Sequence, residues 1–355
     1  SLPFNGSEQD FSSTVDVVGT VNYEVITGTR VNLGDGAFTG DGGFILNSGA
    51  TLGVSSPEGL AMGTSIGNMR VAGERDYRSN GNIIYNGTGP QNLGNEWGPT
   101  GALSGFAVNL EIANTSGVTN NIIGSTSLVG KLILTNGPLN IGNSNILIIE
   151  GDFQGFDGVT RFGTISGHTS PTPTSELVFA GSGIITGTLN FTTGANSLLN
   201  LTINRAGRIS LGTDLTISTG GTLDFLSTGN LDIDQVNGQT LTINGDITQS
   251  GPGGLVSGTT LPANLVIGGS GSLTALPFCT SCGTMQLYNV TFDRTGGATY
   301  PWSNAVRISG VLDLRSGTLA HSSGLIITST STFRRSSGTL VTLNAATGSP
   351  SHSVE

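Results

Sequence analysis

Two segments of this chain, LLNLTINRAGRISL (198–211) and LYNVTFDRTGGATY (287–300), share one pattern. When Asn200 is aligned with Asn289, both segments read N-[L/V]-T-[I/F]-[N/D]-R-x-G, and the two asparagines are 89 residues apart. A repeat at so long a period constrains the fold strongly, because it is typical of chains built from structural units that stack on one another.

Further segments recur at a similar distance. ELVFAGSGIITG (176–187) matches NLVIGGSGSLTA (264–275), and NIIYNGTGPQNL (82–93) is an earlier copy of both. VNLEIANTSG (108–117) is the early version of the segment at Asn200, and a third series begins at Gly130, Gly221 and Gly310. The period predicts units of about 90 residues. We assign an N-terminal cap with the first coils to residues 1–82, and repeats to residues 83–176, 177–264 and 265–355.

A finer period lies inside each unit. Apolar–polar–apolar triplets follow one another in steps of 6 to 10 residues, starting at Leu201, Ile209, Leu215, Leu223, Leu231 and Leu241. The outer residues of each triplet share one face of a strand, and the middle residue takes the other face. Residues such as Ile203, Ile243 and Phe292 are therefore predicted to be buried, while Gly, Asn, Ser and Thr form the intervening turns.

Three such triplets make one turn of a coil. Leu201 to Leu223 is 22 residues, Leu241 to Leu265 is 24, and Leu265 to Leu287 is 22. An antiparallel sandwich would favour longer strands and a core without a repeat. The spacing instead predicts an all-β fold, a right-handed parallel β-helix (β-solenoid) with about 22 residues per coil.

The charge pattern bears on possible partners. The formal net charge is −10 and only 10% of the residues are charged, so no basic stripe for nucleic acid is visible. We expect the three basic groups to lie on solvated surface: Arg70, Arg75 and Arg78; Arg205 and Arg208; Arg334 and Arg335. No apolar run approaches the roughly 18 residues that a membrane helix needs, so membrane insertion is not expected.

The two cysteines form a single CxxC pattern in FCTSCG, at Cys279 and Cys282. A structural zinc site needs four ligands, and none of the three histidines lies at a suitable spacing. We favour a structural disulfide that closes a small loop in an oxidising compartment, with two free thiols as the alternative.

Few patterns suggest catalysis or metal binding. GTSIG (63–67) fits the nucleophile-elbow pattern around Ser65, and we interpret it as chance in a chain rich in Gly and Ser. The segment LDIDQVNG contains Asp232, Asp234 and Asn237. We favour the interpretation that these residues lie on a solvated face, and a weak surface calcium site is the alternative. We therefore expect no catalytic, cofactor or metal site.

Carbohydrate chemistry is the main rival interpretation. Five acids lie within about one and a half coils and could line one face: Asp214, Asp224, Asp232, Asp234 and Asp246. Arg205 and Arg208 are the only basic residues near them. Trp97 and Trp302 lie in loops that contain Gly and Pro, where each could stack on a sugar, but plugging the loop is the favoured interpretation.

Several segments also carry a family resemblance: GFILNSGATLGVSSPEGL (43–60), IYNGTGPQNLGN (84–95), NLTIN and GTLDFLSTGNLDI. They resemble the repetitive secreted surface proteins of Bacteroidota, which are β-helical, adhesin-like and often exported by the type IX route. The resemblance implies a β-helical architecture and an extracellular or cell-surface location, and it implies no particular activity.

These observations predict a non-enzymatic, structural or adhesive β-solenoid, either a fibre or filament subunit or a fragment of a larger surface adhesin. The partners that we expect are a second copy stacked end to end or the remainder of a longer chain, together with surface glycans. A polysaccharide-binding or polysaccharide-degrading β-helix is the alternative.

Overall fold

A computed structural model describes residues 8–60, 66–168, 173–233, 238–257, 263–270, 273, 276, 278–279, 285–295, 306–319, 325–328 and 331–340. Strands make up 51% of the structure. Within the described ranges the one helical element is a short 3-10 turn at Asn95–Trp97. The chain is therefore all-β, as the triplet spacing predicts.

The strands are short and follow one another closely. Up to residue 166 they are β1 (Glu8–Asp10), β2 (Val15–Asp16), β3 (Asn22–Val25), β4 (Arg30–Asn32), β5 (Phe38–Thr39), β6 (Gly43–Leu46), β7 (Thr51–Val54), β8 (Arg75–Tyr77), β9 (Asn82–Tyr85), β10 (Gln91–Asn92), β11 (Asn109–Ala113), β12 (Val118–Thr119), β13 (Gly124–Leu128), β14 (Leu132–Asn136), β15 (Pro138–Asn140), β16 (Asn145–Ile149), β17 (Phe153–Gln154) and β18 (Thr164–Ser166). From residue 176 to 256 they are β19 (Glu176–Phe179), β20 (Ile185–Thr186), β21 (Ser197–Ile203), β22 (Arg208–Ser210), β23 (Leu215–Phe225), β24 (Asn230–Asp232), β25 (Thr240–Ile243), β26 (Asp246–Gln249) and β27 (Leu255–Val256). The remaining strands are β28 (Ala263–Gly269), β29 (Met285–Arg294), β30 (Val306–Ile308), β31 (Val311–Ser316), β32 (Thr318–Leu319), β33 (Leu325–Ile327), β34 (Thr332–Arg335) and β35 (Thr339–Leu340).

The chain divides into two compact units, one of residues 1–166 with 180–187 and one of residues 167–179 with 188–355. In the first unit the longest sheet has the order β1-β4-β7-β9-β11-β14-β17-β20. In the second unit a sheet runs β19-β21-β23-β25-β28-β29-β30-β33. The ladders along both sheets are parallel, for example β11 with β14 and β25 with β28. Each strand thus pairs with its counterpart one coil away.

This pairing defines a parallel β-solenoid of about 12 turns, roughly 23 residues apart. Leu201 pairs with Leu223, and Leu241 pairs with Leu265, as the sequence predicts. The third predicted step is wrong, because Leu265 pairs with Val290 instead of Leu287. A register shift between Ala263 and Leu265 causes the difference, since it inserts an extra residue into the longer strand.

The core consists of apolar residues stacked in register from coil to coil. One ladder in the second unit contains Ile217, Ile243, Ile267, Phe292 and Leu314. The predicted inward facing is confirmed, because Ile203 and Ile243 are 0% exposed and Phe292 is 2% exposed. Full burial of such a side chain contributes about 1.5–3 kcal/mol, so the ladder is a major source of stability.

At several places along the chain, a side-chain oxygen accepts a hydrogen bond from a backbone N–H on the next coil. The Oδ1 atom of Asn109 accepts the Lys131 N–H at 2.9 Å, that of Asn200 accepts the Thr222 N–H at 2.8 Å, and that of Asn289 accepts the Val311 N–H at 2.9 Å. These three asparagines hold the same position in the repeated segment. The asparagine recurs because its oxygen satisfies a backbone donor one coil further on. Asp152, Asp214 and Asn230 cap later backbone N–H groups in the same manner.

The arginine of the repeated segment lies inside the fold. Arg205 is 2% exposed and Arg294 is 0% exposed, so the prediction that Arg205 lies on solvated surface is wrong. In the early copy of the segment, the same position is Asn114, which is also fully buried. Asn114 donates to the Gly89 carbonyl at 2.8 Å, and Arg294 donates to the Gly268 carbonyl at 2.8 Å. The position is polar because glycine turns leave inward-facing carbonyl groups that need a donor.

Candidate functional site

The predicted disulfide is only partly within the described residues. Cys279 is 2% exposed and carries no free thiol. Cys282 lies outside the described residues, so the pairing of the two cysteines stays a prediction. Ser65 of the nucleophile-elbow pattern and Trp302 also lie outside the described residues.

The candidate catalytic acids that lie within the described residues are each engaged in a contact with another coil. Asp224 Oδ1 accepts the Thr248 hydroxyl at 2.5 Å, and Asp246 Oδ1 lies 3.0 Å from Arg294 Nη2. Asp214 accepts the Thr240 backbone N–H at 2.7 Å. Asp224 and Asp246 belong to neighbouring strands of one sheet, whereas Asp232 lies on β24 in another. The structure therefore separates Asp232 from Asp224 and Asp246, which lie on one sheet.

Asp232 was expected on a solvated face, and this expectation is wrong. Its side chain is 0% exposed, and its Oδ2 lies 3.0 Å from Nη1 of Arg208, whose side chain is 54% exposed. Arg208 comes from the preceding coil, so the pair links two successive coils. A carboxylate can be buried here because a guanidinium neutralises it. Asp234 and Asn237, the other residues of the calcium alternative, lie outside the described residues.

Trp97 plugs its loop, as favoured from the sequence. Its side chain is 3% exposed, and its Nε1–H donates to the Tyr85 hydroxyl at 3.0 Å. The Tyr85 hydroxyl in turn donates to the Leu93 carbonyl. Burial raises the pKa of Tyr85 far above its ordinary value. These contacts anchor the 3-10 turn against the coil that contains β9.

An acidic residue that the sequence analysis did not single out lies beside this plug. The Glu96 side chain is 0% exposed, and its Oε1 lies 3.0 Å from Arg75 Nη1. Burial raises the pKa of Glu96, while Arg75 and the Ala102 backbone N–H act in the opposite direction. Burial, with a smaller effect of the Glu96 carboxylate, raises the pKa of Tyr77 well above its usual range. Arg75, expected on solvated surface, is thus half of a buried ion pair.

The first unit carries a polar surface groove of about 510 Å³. Five segments line it, one from each of five successive coils: Asn80; Ala107 and Asn109; Val129, Gly130 and Lys131; Glu150, Gly151 and Asp152; Gly181, Ser182 and Gly183. Lys131 Nζ lies 3.8 Å from Asp152 Oδ2, and Glu150 Oε1 accepts the Ser127 hydroxyl at 2.5 Å. The groove offers donors, acceptors and one cation along the direction in which the coils stack.

The second unit has a groove of similar size, about 530 Å³. It is lined by Phe191, Thr193, Gly194, Asn196, Gly212, Thr213, Asp214, Gly238 and Gln239. Among the described residues that line it, Asp214 is the one charged residue, and that carboxylate already caps the Thr240 N–H. This groove is therefore less equipped for charged contacts than the groove of the first unit.

Within the described ranges, no group of three or more His, Cys, Asp and Glu residues could hold a metal ion. No helix in this part of the chain is long and apolar enough to cross a membrane. Comparisons with protein-family models, with curated proteins and with solved structures give no match for this chain. Fold and surface together define a parallel β-solenoid with polar grooves.

Proposed function

We propose that this chain is a structural, adhesive β-solenoid module that works outside the cell or at the cell surface. The observation that carries the proposal is the order of the outward-facing side chains. On one sheet of the second unit, Thr216, Thr242, Val266, Thr291 and Asp313 follow one another in register on successive coils. A fixed row of small, mostly uncharged side chains offers the same weak contact many times.

Such repetition supports adhesion by multivalency. Successive coils in a parallel sheet lie about 4.8 Å apart, so a linear or flat partner can contact several coils at once. Each contact is weak, but linked contacts raise the overall affinity by orders of magnitude. The core ladders and the asparagine caps hold the row in place, which limits the entropy lost on binding.

The engaged carboxylates favour adhesion over catalysis. A polysaccharide hydrolase needs two carboxylates placed on either side of the scissile bond. Asp224 and Asp246 are each committed to a coil-to-coil contact, and Asp232 is buried in an ion pair. The polar grooves keep polysaccharide binding, with or without degradation, as the second candidate function.

One experiment separates these functions. The full chain is incubated with insoluble glycans, and both the bound fraction and the release of new reducing ends or unsaturated sugars are followed over time. We expect saturable, reversible binding with no product. Steady product release would overturn the non-enzymatic proposal, and failure to bind any of the glycans would overturn glycan adhesion.

Self-association belongs to the same proposal. A second copy stacked end to end, or the rest of a longer chain, would extend the rows of repeated side chains. Static light scattering of the chain over a concentration series tests this. We expect the average mass to rise with concentration, and a constant monomer mass would contradict end-to-end stacking.

A further inference from the structure

The groove of the first unit, which we call the Lys131 groove, has a floor made of stacked glycines. A Cβ atom at Gly130 would overlap the Val108 carbonyl oxygen, one at Gly151 would overlap the Gly130 carbonyl oxygen, and one at Gly183 would overlap the backbone of Gly151. Close stacking of the coils therefore requires glycine at each position. The missing side chains leave a channel whose floor is backbone.

One flank of the groove carries Asn109, Lys131 and Asp152 on three successive coils. The register places them together, because each directly precedes a residue of one inward ladder, Leu110, Leu132 and Phe153. Asn109 has both ends of its amide engaged, since Oδ1 accepts the Lys131 N–H and Nδ2 donates to Asn82 Oδ1 at 2.9 Å. Asn109 thus fixes the flank rather than offering a free group.

Lys131 and Asp152 are two charged groups that remain open to a ligand. Their side chains are 33% and 35% exposed, and the 3.8 Å between Nζ and Oδ2 is too long for a strong hydrogen bond. Asp152 Oδ1 is used to cap the Ile184 N–H at 2.7 Å, which leaves Oδ2 for the long contact with Lys131 and for a ligand. An ammonium has three donors, and this one long contact leaves most of them for a bound molecule.

The charges decide between classes of ligand. Lys131 contributes one positive charge, whereas Glu150 and Asp152 contribute two negative charges, so an anionic ligand is disfavoured. A divalent cation is disfavoured as well, because the ammonium lies beside the carboxylate that would bind it. Hydroxyl groups suit the site, since each can accept a hydrogen bond from Lys131 and donate one to Asp152.

We propose that the Lys131 groove binds an uncharged, hydroxyl-rich glycan that runs along the stack of coils. The inference rests on the adhesive function proposed above and assigns that function to one site. The groove extends over five coils, which suits an extended polymer better than a small solute. The spacing of about 4.8 Å between coils is close to the length of one sugar unit, so successive sugars can meet successive coils.

The test uses the fact that Lys131 is the only lysine in the chain. Reductive dimethylation modifies amines, so mass spectrometry can follow Lys131 while the N-terminal amine serves as an internal reference. The full chain is labelled alone, with a panel of neutral gluco-, manno-, xylo- and galacto-oligosaccharides, and with oligogalacturonate as the anionic probe. We expect at least one neutral oligosaccharide to slow the labelling of Lys131 severalfold without changing the reference rate.

A matched pair of variants makes the test specific. Asp152→Asn keeps the oxygen that caps Ile184 but removes the charge, and the loss of a charge-assisted hydrogen bond should weaken protection about tenfold. Asp224→Asn makes the same change on a strand of the second unit, and it should leave protection unaltered. Equal weakening by both variants would overturn the assignment to this groove.

The other outcomes are also decisive. Protection by oligogalacturonate alone, or no protection by any member of the panel, would overturn the proposal. If the chain binds insoluble glycans while Lys131 reacts at an unchanged rate, the Lys131 groove is not the binding site and the adhesive function stands. If the chain binds none of them, glycan adhesion itself fails.

Discussion

Arg294 provides a direct test of how the repeated segment stabilises the solenoid. Its guanidinium is 0% exposed and joins three successive coils. Nη1 donates to the carbonyls of Gly245 at 2.7 Å and Gly268 at 2.8 Å, and Nη2 contacts Asp246 Oδ1 at 3.0 Å. Arg294→Met keeps much of the apolar stem but leaves both carbonyls without this donor.

The expected loss follows from these contacts. A hydrogen bond from a charged donor contributes about 1.5–3 kcal/mol, so loss of the two carbonyl contacts should cost roughly 3 kcal/mol or more. The ion pair adds little, because the Asp246 side chain is 60% exposed and water can solvate it once the arginine is gone. Arg294→Lys should be nearly as damaging, since a single ammonium cannot replace a planar fork.

Amide hydrogen exchange measures this loss locally, which matters in a chain of stacked coils whose unfolding need not be two-state. A loss of about 3 kcal/mol corresponds to roughly a hundredfold faster exchange in the strands around Arg294, β25, β28 and β29. Arg315→Ala is the control, because the Arg315 side chain is 56% exposed and pairs only with Asp313 of its own strand among the described ion pairs. Equal exchange in the Arg294→Met and Arg315→Ala variants would refute the reasoning.

Three further predictions address the core, the caps and the buried acid. Ile243→Asp places an unpaired charge among buried apolar side chains and should lower the free energy of unfolding by about 3–5 kcal/mol. Thr242→Asp, on the outward face of the same strand, should leave the melting temperature nearly unchanged. Similar melting temperatures for the two variants would show that the inward facing of Ile243 is wrong. Asn200→Ala removes the oxygen that accepts the Thr222 N–H of the next coil, and it should lower the free energy of unfolding by about 1 kcal/mol in a denaturant titration. Asn200→Asp keeps an oxygen at this position and should lower it by less. A larger loss in the Asp variant would contradict the capping role. Because the pKa of Glu96 is raised in the folded state, the folded chain keeps a proton on this carboxyl group above pH 4.5, where the unfolded chain has lost it. The contribution of Glu96 to stability therefore falls as the pH rises from 4.5 to the raised pKa. Unfolding measured at several pH values should show this slope in the wild type but not in Glu96→Gln, and an identical slope in both would argue against the raised pKa.

The architecture could be predicted because its rules are local and repeated. The apolar residues of each triplet, such as those at Leu201 and Leu241, indicate which side chains face inward, and the distance between triplets gives the coil length. Because the coils stack, the same positions face inward on every coil, so the apolar ladder through Ile243 follows from the sequence pattern alone. The repeated asparagine was visible as well, although its purpose required the register that places Asn200 opposite the Thr222 N–H.

Other features depend on contacts between coils that no local pattern encodes. The bulge before Leu265 shifts the register by an amount that the triplets do not reveal. Burial of Arg205 and Asp232 runs against the polarity of both residues, and the partner of Asp232, Arg208, lies on the preceding coil. The Lys131 groove arises because glycines from different coils stack, and the sequence repeat at Gly130 does not show that Gly151 lies against it on the next coil.

The central claim is that successive strands of this chain lie in register on successive coils. Electron–electron distance measurements between spin labels at Thr216 and Asp313 test it, because these residues are four steps apart in one parallel ladder. At about 4.8 Å per step the backbone separation should be roughly 19 Å, and moving the first label to Thr242 should shorten it by about 5 Å. A narrow distribution with this stepwise change would support the solenoid. An unchanged distance after the shift, or a separation that increases, would contradict it.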